Sequence, residues 1–175
     1  MLQLTEKLDH CHQAPLDELH LPFELRKRGR LRATTLSGRE VGLFLNRGQV
    51  LITGDMLKAT TGELIRVVSA PETVVTVPCS NDLVFARVCY HLGNRHVPLQ
   101  IGAGWLRLQP DHVLEAMIQR FGLHPIREEA PFEPENGAYS EHASTGHAHS
   151  RMPPHTHSFE HGRPEAHAQT DSQSE

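Results

Sequence analysis

Histidine is the residue type of this chain that is best suited to chemistry, because imidazole can bind a metal ion at neutral pH. The chain has fourteen histidines, and His147 with His149 and His155 with His157 form two H-x-H pairs. In an extended segment, residues i and i+2 point to the same side, so each pair can bind one ion. Half of the histidines follow residue 140, namely His142, His147, His149, His155, His157, His161 and His167.

The segment that carries these histidines, residues 131–175, is also rich in Pro, Gly, Ser, Ala and Glu and is predicted to be a disordered, acidic tail. Neutral imidazole favours Zn²⁺, Cu²⁺ and Ni²⁺, whereas Mg²⁺ and Ca²⁺ prefer oxygen ligands. Low-complexity drift or a purification tag would also enrich histidine, but tags are contiguous and these histidines are dispersed. The pattern favours weak, multivalent binding of a transition metal, since a disordered chain loses entropy when it closes around an ion.

Two further histidines, His91 and His96, flank a Gly93-Asn94 step that is typical of a helix end. His91 forms a polar stripe with Arg87 and Asn94 at helical spacing, which predicts that it lies at the surface. The direction of His96 depends on the turn that follows the helix. Cations are favoured near the last carbonyls of a helix, but an H-x4-H spacing alone is weak evidence, and two ordinary solvated histidines explain it better.

A second helix is predicted to carry His112, in a polar stripe with Glu115 and Gln119. His112 is therefore also expected at the surface, where, taken alone, an ordinary solvated histidine explains it better than a metal ligand does. The three cysteines, which include Cys79, are too few and odd in number for a disulfide scaffold. They are expected to be reduced thiols, which either bind metal or are simply buried.

Charge is unevenly distributed along the chain. From residue 128 onward the charge is −7 and before it +3, which gives the net −4. Residues 26–32 (RKRGRLR) resemble a nucleic-acid patch, but the acidic chain and the lack of aromatic residues nearby favour an exposed strand with a basic edge. No run of ~18 apolar residues predicts a membrane span, and no apolar signal core is seen, so a cytoplasmic protein is expected.

Catalysis is not predicted. The sequence has no H-E-x-x-H motif, no recognisable Ser-His-Asp set and no phosphate-binding glycine loop. A hydrolytic zinc site would need about three protein ligands and a positioned acid or base.

The elements that must position these residues fall into two regions, so the predicted class is α+β. Residues 1–70 show turn signals about every ten residues and short β-branched runs, at 31–36, 41–45 and 50–52, which predict a small all-β sandwich or barrel. Residues 71–130 predict the order β-α-β-β-α-β of a ferredoxin-like domain, with Ser80 capping the first helix and Gly93 ending it.

With these residues in hand, the sequence resembles the UreE family of urease accessory proteins, which are nickel metallochaperones. The resemblance covers about residues 21–123. It depends on RKRGRLRATTLSGREVGLFLNRGQVLITGDML (26–57), HLGNRHVPLQI (91–101) and DHVLEAMIQRFG (111–122). The core Gly-Asn-Arg-His followed by Pro-Leu-Gln is highly specific in combination.

The resemblance implies that the first domain contacts partners or peptides and that the second binds metal and forms a homodimer. It implies that His96 of both protomers binds Ni²⁺, that His91, His112 and Cys79 belong to secondary sites, and that the tail adds ligands. Zn²⁺, Cu²⁺ and Co²⁺ are expected to compete in vitro. The implied partners are the GTPase UreG and the urease apoprotein complex with its accessory proteins, with neither nucleic acid nor membrane.

One departure from the family pattern concerns Pro110, where some members have another histidine. This departure weakens the expectation that His91 and His112 form a ready-made site. The alternative function is a general zinc or nickel storage protein with no dedicated client.

Overall fold

In the computed structural model, which describes residues 1–136, the first part of the chain forms one mixed sheet. Its strands and one short helix are β1 (Leu2–Leu8), β2 (Asp17–Leu21), α1 (Phe23–Arg26), β3 (Arg30–Thr34), β4 (Glu40–Phe44), β5 (Met56–Ala59) and β6 (Leu64–Ser69). The strand order is β2-β6-β5-β1-β4-β3. β1 pairs with β4, and β2 with β6, in parallel, and the other pairs are antiparallel.

Alternating apolar residues build the core of this sheet. In β3, Leu31 and Ala33 pack against the core, whereas Arg30 and Arg32 are exposed, because successive side chains of a strand point to opposite faces. β1 has the same period in LQLTEKL, where Leu4 is fully buried. The run at 31–36 therefore forms the predicted kind of strand, while β1, β2 and β5 were not predicted.

The strand predicted at residues 50–52 is wrong. Leu51 is buried, but its backbone N–H donates to the carbonyl of Arg26 at 3.0 Å, and its carbonyl accepts from Arg26 Nη1 at 2.8 Å. This segment therefore pairs with the end of α1 and with a side chain instead of with a neighbouring strand.

The second part of the chain contains β7 (Pro71–Pro78), α2 (Asp82–Gly93), β8 (Gln100–Gly102), β9 (Trp105–Leu108), α3 (His112–Gln119) and β10 (Ile126–Pro131). Its sheet has the order β10-β7-β9-β8, and all its pairs are antiparallel. Both helices pack on one face of this sheet, since Val88 and Leu92 of α2 and Ile118 of α3 share a buried cluster with Val75 and Leu106. Residues 1–136 thus contain both helices and strands, and the strands form two sheets.

Arg26 joins the two sheets. Its guanidinium, only 1% exposed, donates to the carbonyls of Leu21 at 3.2 Å and Leu51 at 2.8 Å, and also to that of Phe132. Phe132 is fully buried, and its ring meets Phe23 edge-on with the ring centroids 5.3 Å apart. Charge-assisted bonds to three carbonyls satisfy a cation that would otherwise be very costly to bury.

These contacts change the expected start of the tail. Residues 131–136 were predicted to be disordered, but Phe132 is buried and the backbone N–H of Glu135 donates to the carbonyl of Leu99 at 2.9 Å. The packed part of the chain therefore continues past residue 130, because one aromatic side chain anchors it. The rest of the predicted tail, with its seven histidines, lies outside the described residues.

Among the helices of residues 1–136, none has the length and apolar character needed to cross a membrane.

Candidate metal centre

The helix that presents His91 and His96 begins at an asparagine cap. The Asn81 side chain accepts a hydrogen bond from the N–H of Val84 at 3.0 Å, so Asn81, and not the predicted Ser80, is the N-cap of α2. Asp82 lies in the first turn, where a negative charge is favoured by the helix dipole.

The end of α2 differs from the prediction in a way that concerns His96 directly. Gly93 is the last helical residue and does not have a positive φ, whereas His96 has φ +55°. The N–H of His96 donates to Gly93 O at 2.9 Å, and the N–H of Val97 donates to Leu92 O at 3.3 Å. This is the Schellman pattern, in which the left-handed position usually belongs to glycine. Val97 and Leu92 also belong to the same apolar cluster, and an apolar contact between these two positions frequently accompanies the motif.

The left-handed conformation of His96 is unusual within the described part of the chain. All the other residues there with positive φ are glycines, because a side chain at such a φ is strained by about 1–2 kcal/mol. The His96 side chain is exposed and has no hydrogen-bond or ion-pair partner among residues 1–136. A strained residue whose imidazole makes no contact that would stabilise the fold is a good candidate for a functional role.

His91 lies on the last turn of α2, but it is less exposed than predicted. Its ring packs between Tyr90 and Phe121, with ring centroids 5.4 Å and 5.3 Å away. The residue is half-buried instead of exposed. Arg87 and Asn94, the other members of its stripe, are exposed as predicted. Its aromatic neighbours restrict the ring, which the helical spacing alone did not reveal.

His112 is the first residue of α3 and is exposed, as predicted. The N-cap is Asp111, whose carboxylate accepts from the N–H groups of Val113 at 2.8 Å and Leu114 at 3.0 Å. These bonds lower the pKa of Asp111, the one to Leu114 most strongly. A charged carboxylate therefore lies beside His112.

His96 and His112 line two neighbouring grooves. One groove of about 330 Å³ is lined by His96 and by Asp111, and the other, also about 330 Å³, by His112 and Arg120. Arg95 and Leu114 belong to both. The fold thus brings the exit of α2 to the entrance of α3, which the sequence did not indicate.

Cys79 lies at the opposite end of α2. It is 5% exposed, and its thiol donates to the carbonyl of Asn81 at 3.4 Å. Since α2 has twelve residues and rises ~1.5 Å per residue, Cys79 lies roughly 18 Å along the helix axis from His96. The two cannot bind the same ion within one chain. Burial, and secondarily Cys79, raises the pKa of the neighbouring Cys89 thiol.

Within residues 1–136, no three His, Cys, Asp or Glu side chains come together in a way that could hold a metal ion. A nickel or zinc site normally needs more ligands than one histidine. The predicted ligands from His142 to His167 lie outside the described residues.

The structure also identifies neighbours of the site that were not predicted. Residues 133–135 lie close to it, since the N–H of Glu133 donates to the Gln100 side chain at 3.1 Å and that of Glu135 to Leu99 O at 2.9 Å. The one feature of the sequence that could have indicated an ordered segment here is Phe132, an isolated aromatic residue that follows β10. His124 lines a pocket of about 440 Å³ together with Cys79, and no spacing in the sequence connects those two residues.

Comparison with known families gives matches along almost the whole described chain. Residues 3–70 match the model of the UreE urease accessory protein N-terminal domain, and residues 72–167 match that of its C-terminal domain. A urease accessory protein UreE of Marinobacter nauticus is 50% identical over 160 residues, which covers 85% of this chain and 88% of the relative. The UreE of Alkalilimnicola ehrlichii is 54% identical over 140 residues, covering 79% of this chain and 85% of the relative. That of Pseudoalteromonas translucida is 47% identical over 156 residues, covering 86% and 91%.

Proposed function

Because the chain belongs to the UreE family of urease accessory proteins, with a role in urease maturation, we propose that it is a nickel metallochaperone that binds Ni²⁺ through His96. The observation that carries this proposal is the state of His96 itself. Its imidazole is exposed and unpartnered within residues 1–136, on a backbone conformation that favours glycine. It is a delivery protein and not an enzyme.

The proposed site is completed by His96 of a second copy of the chain. His96 alone supplies too few ligands for a stable nickel site, and a homodimer supplies two copies of His96 around a shared axis. Large apolar side chains left exposed on the two helices support such an interface, since Leu83 is 68%, Tyr90 66% and Val113 62% exposed. Both helices of the ferredoxin-like domain predicted for residues 71–130 pack on the same face of its sheet, so their outer surfaces can meet those of a second copy.

A site with few ligands suits a protein that must release its metal. A closed cage of four ligands would hold Ni²⁺ too firmly for delivery, whereas an open site leaves positions for ligands of the recipient. His91, His112 and Cys79 are proposed as secondary ligands. Cys79 belongs to a separate site because of its distance along α2.

The C-terminal segment is proposed to add ligands and to raise their local concentration. Glu135 is bonded to Leu99, three residues from His96, and His142 follows seven residues after Glu135. Seven residues reach at most ~25 Å, so the first histidines of the segment can approach the His96 region. A tethered ligand acts at a high effective concentration without a fixed geometry.

The nickel recipients in this proposal are the GTPase UreG and the urease apoprotein complex with its accessory proteins, in the cytoplasm. The family assignment is the support for these partners. Zn²⁺, Cu²⁺ and Co²⁺ are proposed as in-vitro competitors for the same imidazoles.

Calorimetric titration with Ni²⁺ tests the site. We expect His96→Ala to abolish the tightest binding event and truncation after Asn136 to reduce the number of ions bound while preserving that event. Truncation at this point keeps the buried Phe132 and its contacts with Phe23 and Arg26. His124→Ala, which removes another exposed histidine, is the matched control and should leave the tight event unchanged. Loss of tight binding on truncation, with its retention in His96→Ala, would show that the assignment to His96 is wrong.

A storage protein for nickel or zinc is the second candidate, and the seven histidines after residue 140 favour it. The two functions differ in their effect on urease. For a chaperone, deleting the gene should abolish urease activation when nickel is limiting and leave urease protein levels unchanged. Unchanged activation under those conditions would favour storage.

A further inference from the structure

The basic residues at 26–32 have different environments in the folded chain. Arg26 is buried and bonded to three carbonyls, and Lys27 pairs with Glu24 at 3.1 Å. Arg28, Arg30 and Arg32 are exposed and form no ion pair within residues 1–136. The fold therefore accounts for the first two cations, and three arginines remain without a role in it.

Two of these arginines line a hollow at the rim of the six-stranded sheet. The hollow has a volume of about 410 Å³, and Arg28, Arg30 and Arg47 line it without any acidic side chain. Its floor is Gly29, where a Cβ atom would lie 2.7 Å from the carbonyl oxygen of Leu45. Three guanidinium groups and no carboxylate make this hollow a place for negatively charged groups.

The hollow continues into an open strand edge. β3 is the last strand of its sheet in the described chain. The carbonyl of Gly29 accepts from Leu45 at 2.7 Å, and the N–H of Thr35 donates to Arg39 at 2.9 Å. In an antiparallel ladder the bonded residues alternate, so the backbone groups of residues 30, 32 and 34 point away from β4. That edge can accept one more strand.

The outer face beside this edge has the composition of a binding surface. Arg30 lies opposite Phe44, and Arg32 lies opposite Gly42. Phe44 is 44% and Met1 57% exposed, and both lie over Gly42, where a Cβ atom would come within 3.0 Å of each of their side chains. Arginine, methionine and aromatic residues are enriched in protein interfaces relative to other surfaces.

Two possible occupants of the edge conflict with its charge pattern. A second copy of β3 would place arginines opposite arginines, which is unfavourable. The segment after residue 136 has acidic residues at 141, 160, 165, 171 and 175, and no two of them are two residues apart. Carboxylates that face Arg30 and Arg32 must recur at every second residue of an added strand, because that spacing places them on one face.

We propose that the free edge of β3 binds an extended segment of a partner protein that carries carboxylates at alternate positions. The backbone of the segment pairs with residues 30, 32 and 34, and its carboxylates bind the arginines of the outer face and the hollow. This mode of recognition combines strand addition with charge complementarity. It involves no metal ligand, so it stands independently of the nickel proposal.

The test is fluorescence anisotropy with labelled peptides and metal-free protein in the presence of a chelator. The probe is Thr-Glu-Val-Glu-Val-Glu-Thr. The first comparison peptide has the same amino-acid composition, with its three glutamates adjacent. The second has the same sequence as the probe, with alternate backbone nitrogens methylated so that strand pairing is blocked. We expect the probe to bind and both comparison peptides to bind at least about tenfold more weakly.

Arg30→Glu should weaken binding of the probe by at least about tenfold, while Arg87→Glu, a reversal at an exposed arginine of α2, should change it less than about twofold. Circular dichroism and urea unfolding verify that both variants are folded, and Arg32→Glu provides a second variant at the same edge. Equal binding of all three peptides, or an equal loss in Arg87→Glu, would overturn the proposal and leave the arginines as protection of a sheet edge. Tighter binding of an RNA or DNA oligonucleotide of equal charge would also overturn it.

Discussion

The junction between the two sheets and the exit of α2 treat a polar side chain in opposite ways. At the junction, Arg26 is buried and each of its three guanidinium nitrogens donates to a backbone carbonyl. At the exit of α2, His96 is exposed, its imidazole has no partner within residues 1–136, and its backbone has φ +55°. The first arrangement stabilises the fold, and the second adds strain to it.

The difference teaches how to separate structural from functional polar residues in one chain. A polar group retained for stability is expected to have its hydrogen bonds satisfied. A residue whose conformation is costly and whose side chain is free contributes nothing comparable to the fold, so its presence indicates a use elsewhere. Arg26 and His96 are the clearest examples of the two classes in the described chain.

The largest expected effect concerns the junction. Arg26→Ala removes a buried cation, leaves three carbonyls without that donor and opens a cavity beside Phe132. We expect the free energy of unfolding to fall by about 3 kcal/mol or more, as measured by urea denaturation. Lys27→Ala, at the adjacent exposed position, should change it by no more than about 0.5 kcal/mol. Similar small effects for both variants would remove the contrast on which the comparison depends.

A smaller effect, of opposite sign, is expected at the exit of α2. His96→Gly should stabilise the metal-free protein by about 1 kcal/mol, because glycine adopts the left-handed conformation without strain. His96→Ala should give no such gain, although both variants lose the imidazole. Urea denaturation in the presence of a chelator measures this difference. If the glycine and alanine variants were equally stable, His96 would not be strained in the way described.

The smallest effect is expected at a carboxylate of the six-stranded sheet. The hydroxyl of Ser37, which donates to the Asp17 carboxylate, is the main cause that lowers the pKa of Asp17 from 3.8 to about 2. Because the pKa is lower in the folded chain, this stabilisation is complete above about pH 4 and is lost as the pH falls toward 2. Asp17→Asn should therefore reduce the loss of stability between pH 4 and pH 2.

Thermal unfolding at several pH values measures this dependence, and Asp9→Asn, at an exposed acid, is the control. A steeper pH dependence in Asp17→Asn than in the unchanged protein would contradict the assignment. Asp17, like Arg26, is a polar group whose hydrogen bonds are satisfied within the fold.

Much of the second region could be predicted from the sequence. The helices, the β-α-β-β-α-β order and the exposure of His112 follow from apolar periodicity and capping residues, which act over a few neighbouring positions. In the first region, β3 and β4 lie close to the predicted runs, but β1 was missed despite its alternation in LQLTEKL. The strand expected at 50–52 was wrong because Leu51 bonds to Arg26, which is 25 residues away.

The candidate site was only partly predictable for the same reason. Histidine content indicated a transition metal, and the resemblance to a family indicated nickel, but neither placed the side chains. Gly93 looked like the left-handed residue at the end of α2, while the structure assigns that conformation to His96. Which residue adopts the left-handed conformation depends on the position that lets Val97 pack with Leu92 in the apolar cluster. That position is set by the packing of the core.

The amino-acid sequence alone indicates the chemistry available to this protein: a histidine-rich chain, a helix end between His91 and His96, and a run of basic residues at 26–32. The tertiary structure alone decided what each residue does. It buried Arg26 against a carbonyl 106 residues away, left Arg30 and Arg32 at a free edge, and placed the entrance of α3 beside His96. Sequence patterns predict helices and strands because these depend on residues a few positions apart. Whether a polar side chain has its hydrogen bonds satisfied depends on partners that only the folded chain brings near it.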